Sequence, residues 1–360
     1  NFQKMALKRK ETTSLSLYDD EEEEEESGPV TTKEEPPAKR CNTNGSATTD
    51  EFNSLDASSS PPREDSVVKV KSRLVGVLGA RRGERADMQD AHVLLESFLP
   101  PSAASDIASS ALFAVFDGHA GARAAHYSEA HFPGLLRAAV SKCDNVAAVE
   151  KSIKRIFIDT FKTVDEGFLR QARMNKPVWK DGTTATTLLV LNQCIYAANI
   201  GDSKAIVCRH KPGENSDVAI ELTIDHNPQL FEERSRILKA GGFVKNGRVD
   251  GIIEVSRSIG DGQFKSRGVS CSPDVKKFTI TENDRFILLA CDGLWKSFSN
   301  DDAIAFVWKK LEEAKKMEEI VERGEKAEWQ FASEELAAEA VRRQCGDNVS
   351  VLLIRIDWIA

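Results

Sequence analysis

Three aspartates in this chain share one local context. Asp117 follows the apolar run Leu112-Phe-Ala-Val-Phe116 and precedes Gly118-His119; Asp292 follows Phe286-Ile-Leu-Leu-Ala-Cys291 and precedes Gly293; Asp347 stands between Gly346 and Asn348-Val-Ser-Val-Leu-Leu. A carboxylate at the end of a buried strand is held rigidly, and an adjacent glycine lets the backbone turn and another group come close. Asp90 stands directly before a further apolar run and is a candidate to join them. Carboxylates gathered in this way suit a hard cation. With no His or Cys in every segment the donor set is oxygen only, which points to Mg²⁺ or Mn²⁺ rather than zinc. Asp-Gly and Gly-Asp are also common turn signals, and Gly201-Asp202 and Gly260-Asp261 read as turns only. The residues alone support no more than a divalent-metal hydrolase.

Short apolar runs at 74–78, 92–95, 112–116, 187–191, 194–199, 204–208, 218–223, 275–280, 285–290 and 349–356, many with β-branched residues and each bounded by Gly, Asp, Asn or Pro, predict strands. Residues 119–142 and 146–174 carry apolar side chains at helical spacing and predict a helix pair. A second pair is predicted from Asn300, with Asp301 and Asp302 in its first turn, and near 333–344, with 312–328 as a charged surface excursion between them. Many strands with paired helices and no repeating βαβ unit indicate an α+β fold.

Of the 49 Lys and Arg and 57 Asp and Glu, 8 and 16 lie in residues 1–66, so the net charge of −8 belongs to that segment and the body is neutral. A neutral body argues against duplex nucleic acid as a partner. Residues 1–66 have little apolar surface to offset the entropy of ordering and read as a disordered tail, with a folded domain over 67–360. The tail holds the basic clusters Lys8-Arg9-Lys10 and Lys39-Arg40, a candidate nuclear import signal. Seven scattered cysteines without a CxxC pair suit a reducing compartment, cytoplasmic or nuclear. No apolar run approaches the roughly 20 residues of a membrane span, and the first 30 residues lack the apolar core of a secretory signal.

The ordered segments Arg85-Ala-Asp-Met-Gln-Asp-Ala-His92, Phe113-Ala-Val-Phe-Asp-Gly-His-Ala-Gly121, Asp181-Gly-Thr-Thr-Ala185, Ala198-Asn-Ile-Gly-Asp-Ser203, Lys239-Ala-Gly-Gly242, Val255-Ser-Arg-Ser-Ile-Gly-Asp261, Leu289-Ala-Cys-Asp-Gly-Leu-Trp295 and Gly346-Asp-Asn-Val-Ser350 closely resemble the metal-dependent Ser/Thr protein phosphatases of type 2C. The resemblance spans about 75 to 357 and is strongest to the branch associated with integrin-linked kinase, which implies that kinase as a possible partner beside phosphoprotein substrates. It implies a four-layer sandwich of two antiparallel sheets flanked by helix pairs, acting as a monomer. It also implies two Mg²⁺ or Mn²⁺ ions, with Asp117 bridging them, the Gly118 carbonyl on one, Asp292 and Asp347 on the other, and Asp90 acting through water. Arg85 would grip the phosphate and His119 would be the general acid. Residues 226–251 would form a mobile flap beside the site.

Three positions depart from the family pattern. Gln89 stands where Glu usually precedes the motif Asp; Trp179 and Lys296 stand where acids associated with a third, weaker metal are expected. An aromatic and a cation there predict a two-metal enzyme. The rival class is a pseudophosphatase scaffold that binds a kinase-signalling partner; no HCx5R loop of a cysteine phosphatase is present. For the tail, a fluorescent fusion lacking residues 1–66 is expected to lose nuclear enrichment by microscopy, and unchanged enrichment rules out the import role.

Overall fold

The computed structural model describes residues 71–100 and 106–359. The acidic tail, its basic clusters and the expected boundary at 66/67 lie outside the described residues. The chain begins with β1 (Lys71–Arg81), β2 (Ala91–Leu95), β3 (Ser110–Phe116) and a short β4 (Gly118–His119). It then runs through α1 (Arg123–Val140) and α2 (Val146–Arg173) into β5 (Gly182–Thr183), β6 (Ala185–Leu191), β7 (Cys194–Ile200), β8 (Lys204–Lys211) and β9 (Ser216–Glu221). The helix α3 (Phe231–Lys239), β10 (Val244–Lys245), β11 (Arg248–Val249) and β12 (Ile259–Gly260) follow, then β13 (Asp274–Thr279) and β14 (Asp284–Ala290). Four helices, α4 (Asp292–Trp295), α5 (Asn300–Ala314), α6 (Glu318–Val321) and α7 (Glu325–Arg342), precede β15 (Val349–Ile359).

Two antiparallel five-stranded sheets, ordered β1-β15-β14-β8-β9 and β13-β7-β6-β3-β2, face one another. Their inner faces meet in one core cluster that includes Phe113, Val115, Leu188, Leu289 and Ile354. The outer face of the second sheet packs on α1 and α2 through Phe116, Phe132, Phe157 and Phe161. That of the first packs on α5 and α7 through Phe286, Val307, Leu336 and Leu353. The strands central in each sheet are therefore apolar on both faces, as β3 and β14 show, because each lies between a helix layer and the other sheet. This is the expected four-layer α+β sandwich.

Boundaries differ in two places that matter. Residues 118 and 119 are not helical: they pair with Thr183 and Gly182 in a small sheet ordered β12-β5-β4, which fixes His119 on a strand. The excursion at 312–328 is shorter than its charge suggested, because α7 starts at Glu325 with Trp329 packed on Phe286 and Trp308. Among the described residues no helix is long and apolar enough to cross a membrane. Phe113 is fully buried between the sheets. Phe113→Ala is expected to cost about 3–5 kcal/mol in urea unfolding at unchanged secondary structure; a loss under 1 kcal/mol would show that the sheets do not depend on this contact.

Candidate active site

The acidic residues converge at one end of the sandwich because the strands that carry them finish there. β3 delivers Asp117, whose carbonyl accepts the Thr184 N–H at 2.9 Å and the Thr183 hydroxyl at 3.0 Å. β14 delivers Asp292 through Cys291, whose N–H donates to the Ser350 carbonyl at 3.2 Å. A side chain at Gly293 would stand 2.0 Å from the Asn348 carbonyl, so only glycine lets the Asp292 turn lie against the one holding Asp347. Gly118 has the same role: a Cβ there would meet the Gln89 carbonyl at 2.2 Å, and the approach brings the Asp90 and Asp117 segments together. Asp90 is 5% exposed; its Oδ2 accepts from Ser350 Oγ at 2.8 Å, while its Oδ1 is buried without a hydrogen-bond partner.

Two groups of donor atoms result, each within 4.8 Å: Asp90, Asp117 and Cys291, and Asp117, Asp202 and Asp292. Asp117 is common to both. Burial pushes these carboxyls up, and their mutual repulsion adds to it: Asp90 to about 6, Asp202 to about 7, and Asp117 well above the ordinary range. Asp292 is raised by burial too, although Lys296 opposes the shift. Asp347 stands alongside, its Oδ2 accepting from Arg85 Nη2 at 2.9 Å and from Lys296 Nζ at 3.0 Å. Lys296 Nζ also lies 2.7 Å from Asp292 Oδ2.

His119 faces the same cavity of about 370 Å³, which Arg85, Asp117, Asp202, Asp292 and Asp347 line. Its Nε2 is 2.7 Å from Asp261 Oδ2, which also accepts from Ser258 Oγ at 2.6 Å. Burial works against a charged ring, but the Asp261 charge and hydrogen bond outweigh it and raise the His119 pKa. Arg85 is half exposed and held by the Gly346 carbonyl at 3.0 Å as well as by Asp347. Arg248, Ile252, Ile253, Glu254 and Val255 also line the cavity.

All seven residues expected at the site, Arg85, Asp90, Asp117, Gly118, His119, Asp292 and Asp347, are brought to this end of the fold. One reading needs correction. Asp202 and Asp261 are more than turn residues: the first joins the carboxylate cluster and the second holds His119. Trp179, at the position of an expected third-metal acid, packs on Phe168 and beneath the Arg123 guanidinium. A Gly-Asp signal is identical in a turn and at a site, so only the segments' convergence separates them.

The residues fit a hard divalent ion. Burial, with neighbouring negative charge, raises the clustered carboxyls, a buried Asp90 oxygen lacks a hydrogen-bond partner, and every donor but Cys291 is a carboxylate oxygen. Cys291 lies close but is engaged otherwise: its thiol donates to the Asn348 carbonyl at 3.4 Å, accepts the Ser350 N–H at 3.1 Å, and burial pushes its pKa well up, so it stays a thiol.

Comparison with known proteins agrees with this geometry. Residues 75–349 match the family described as Protein phosphatase 2C. The chain is 46% identical over 300 residues to the human Integrin-linked kinase-associated serine/threonine phosphatase 2C, covering 81% of this chain and 76% of that protein. It is 38% identical over 287 residues to Probable protein phosphatase 2C 67 of Oryza sativa subsp. japonica, covering 76% and 72%. The crystal structure of serine-threonine phosphatase 2C from Toxoplasma gondii superposes with a TM-score of 0.65 at 20% identity, over 78% of this chain and 94% of that one, and shares the fold. The carboxylate cage, the order of the strands that build it and these similarities together place the chain in the protein phosphatase 2C family, as a metal-dependent protein serine/threonine phosphatase.

Proposed function

We propose that the chain hydrolyses phosphoserine and phosphothreonine by direct attack of water, using two Mg²⁺ or Mn²⁺ ions held by Asp90, Asp117, the Gly118 carbonyl, Asp292 and Asp347, with Asp202 as a further carboxylate. The observation that carries this reading is the place of Asp117 in both donor groups, where one side chain can serve two ions. When bound, the ion pair supplies an acidified water and neutralises charge on the phosphoryl oxygens. Two divalent ions would offset four of the five carboxylate charges, and Lys296 and Arg85 already lie against Asp347, so a third ion would have to compete with Lys296 for Asp292 and Asp347.

The chain's own groups do the rest. Arg85 presents a planar guanidinium at the cavity wall, suited to two parallel hydrogen bonds with phosphate. A seryl or threonyl alkoxide is a poor leaving group and needs a proton. Asp261 engages Nε2 of His119 and keeps the ring protonated to higher pH, so the proton passed to the leaving oxygen is the one on Nδ1. Gln89 and Lys296 leave every site acid in place, and a pseudophosphatase scaffold is not favoured. The human relative's name supports a setting in integrin-linked kinase signalling, in the cytoplasm or nucleus, with the chain acting as a monomer.

His119→Ala is expected to slow hydrolysis of a phosphoserine peptide at least 100-fold while slowing an activated aryl phosphate, whose phenolate leaves unaided, far less; equal slowing of both removes His119 from the acid role. A second test uses the metal-free protein. Asp202 holds its proton up to about pH 7 when folded but loses it near 3.8 when unfolded, so it lowers stability as pH rises through that window. Asp202→Asn should therefore match the unfolding free energy of wild type at pH 4 to within about 1 kcal/mol and exceed it at pH 8 by up to about 4 kcal/mol. A variant no more stable at pH 8 than at pH 4, relative to wild type, contradicts the account of a buried carboxyl beside other acids.

A further inference from the structure

The turn that carries Asp202 is clamped by a residue outside the acidic cluster. Gly201 has φ of +93° at the end of β7. Its N–H donates to His226 Nδ1 at 3.1 Å and its carbonyl accepts the His226 N–H at 2.8 Å, so one residue holds both backbone polar groups of the residue before Asp202. Because Nδ1 accepts, the ring proton sits on Nε2 and donates to Asp274 Oδ2 at 3.1 Å. Burial and the nearby Arg257 lower the His226 pKa and keep the ring neutral.

The line continues. Asp274 Oδ1 accepts from Arg257 Nη1 at 2.9 Å, and Arg257 Nη2 reaches Glu233 Oε1 at 2.7 Å. Glu233 lies on α3, within the segment expected as a flap, and also accepts from Arg236 at 2.7 and 2.8 Å and from Ser256 Oγ at 2.5 Å. His226 and Glu233 are each 2% exposed. On its apolar side α3 packs Ile237 with Ile253, Val255 and Phe264, three residues that line the cavity. A continuous polar chain, buried at His226 and Glu233 and partly exposed at Asp274, thus joins the cluster that packs α3 against the cavity to the backbone that aims one of the carboxylates.

We propose that His226 is a positioning residue, which aims Asp202 at Asp117 and Asp292 and couples that aim to the seating of the flap. The proposal rests on the metal-dependent reading above. Coupling of this kind is reciprocal: a cation held at Asp202 and a seated flap favour one another. Groups that orient a metal ligand from outside typically change affinity about 10–100-fold when removed.

Mn²⁺ binding to the full chain, followed by calorimetry and by the electron paramagnetic resonance of free Mn²⁺, tests it in Asp202→Asn, His226→Leu, His226→Gln and Glu233→Gln. Asp202→Asn and His226→Leu should weaken the same binding step, His226→Leu about tenfold or more. His226→Gln, whose amide can accept and donate, should recover part of the loss, and Glu233→Gln should weaken the step several-fold from the flap. Wild-type Mn²⁺ affinity in folded His226→Leu, whatever its melting temperature, overturns the positioning role, and wild-type affinity in Glu233→Gln overturns the coupling. Should His226→Leu fail to fold, His226→Gln and Glu233→Gln decide the matter. The readout is binding, so a wild-type chain that binds Mn²⁺ yet does not hydrolyse a phosphoserine peptide would refute the proposed reaction and leave this test intact.

Discussion

The organising constraint in this protein is the burial of like charge. Burial raises the carboxyls of Asp90, Asp117, Asp202 and Asp292, and neighbouring charge adds to it, from Asp292 on the first three and from Asp347 on Asp90, Asp117 and Asp292. Carboxylates do not gather spontaneously, since each pays for lost water and for its neighbours' charge. The gathering is imposed by the fold. Two sheets with fully buried central strands, each backed by a helix pair, supply the apolar burial that offsets the strain at one end.

Close backbone approach is how that force is transmitted. At Gly118 and Gly293 a single added carbon would collide with a neighbouring carbonyl, so the turns bearing the acids rest directly against one another with no side chain between them. Gly182 serves His119 in the same way: a Cβ there would stand 2.0 Å from the Asp261 carboxylate and 2.4 Å from the ring. The His119–Asp261 pair is therefore a built contact, and it raises the His119 pKa beside carboxyls that burial itself raises.

Lys296 introduces a resident positive charge among these groups. Its ammonium sits between Asp292 and Asp347, and its pKa is raised by both carboxylates. Together with Arg85 on Asp347, it places two cations against the cage, and its charge also opposes the rise of the Asp202 pKa. The guanidinium of Arg85 remains half exposed and lines the cavity.

The sequence by itself determined the elements and the identity of the principal acids. Alternation of apolar runs with Gly and Asp marked β3, β14 and β15, and helical spacing marked α1, α2 and α5, because periodicity is a property of neighbours along the chain. Asp117, Asp292 and Asp347 were legible since each stands directly at such a strand's end, whereas the roles of Arg85, Gly118 and His119 came from motif resemblance. Only the tertiary structure decided that Asp202 belongs with Asp117 and Asp292, that Asp261 holds His119, and that Trp179 belongs to a hydrophobic cluster. A Gly-Asp pair obeys the same local rules in an idle turn and in a site, and the difference lies in partners 59 to 142 positions away along the chain, as between Ser350 and Cys291 or Asp261 and His119. Such distances leave no periodic trace; they are fixed by which strand ends the packed sheets bring together.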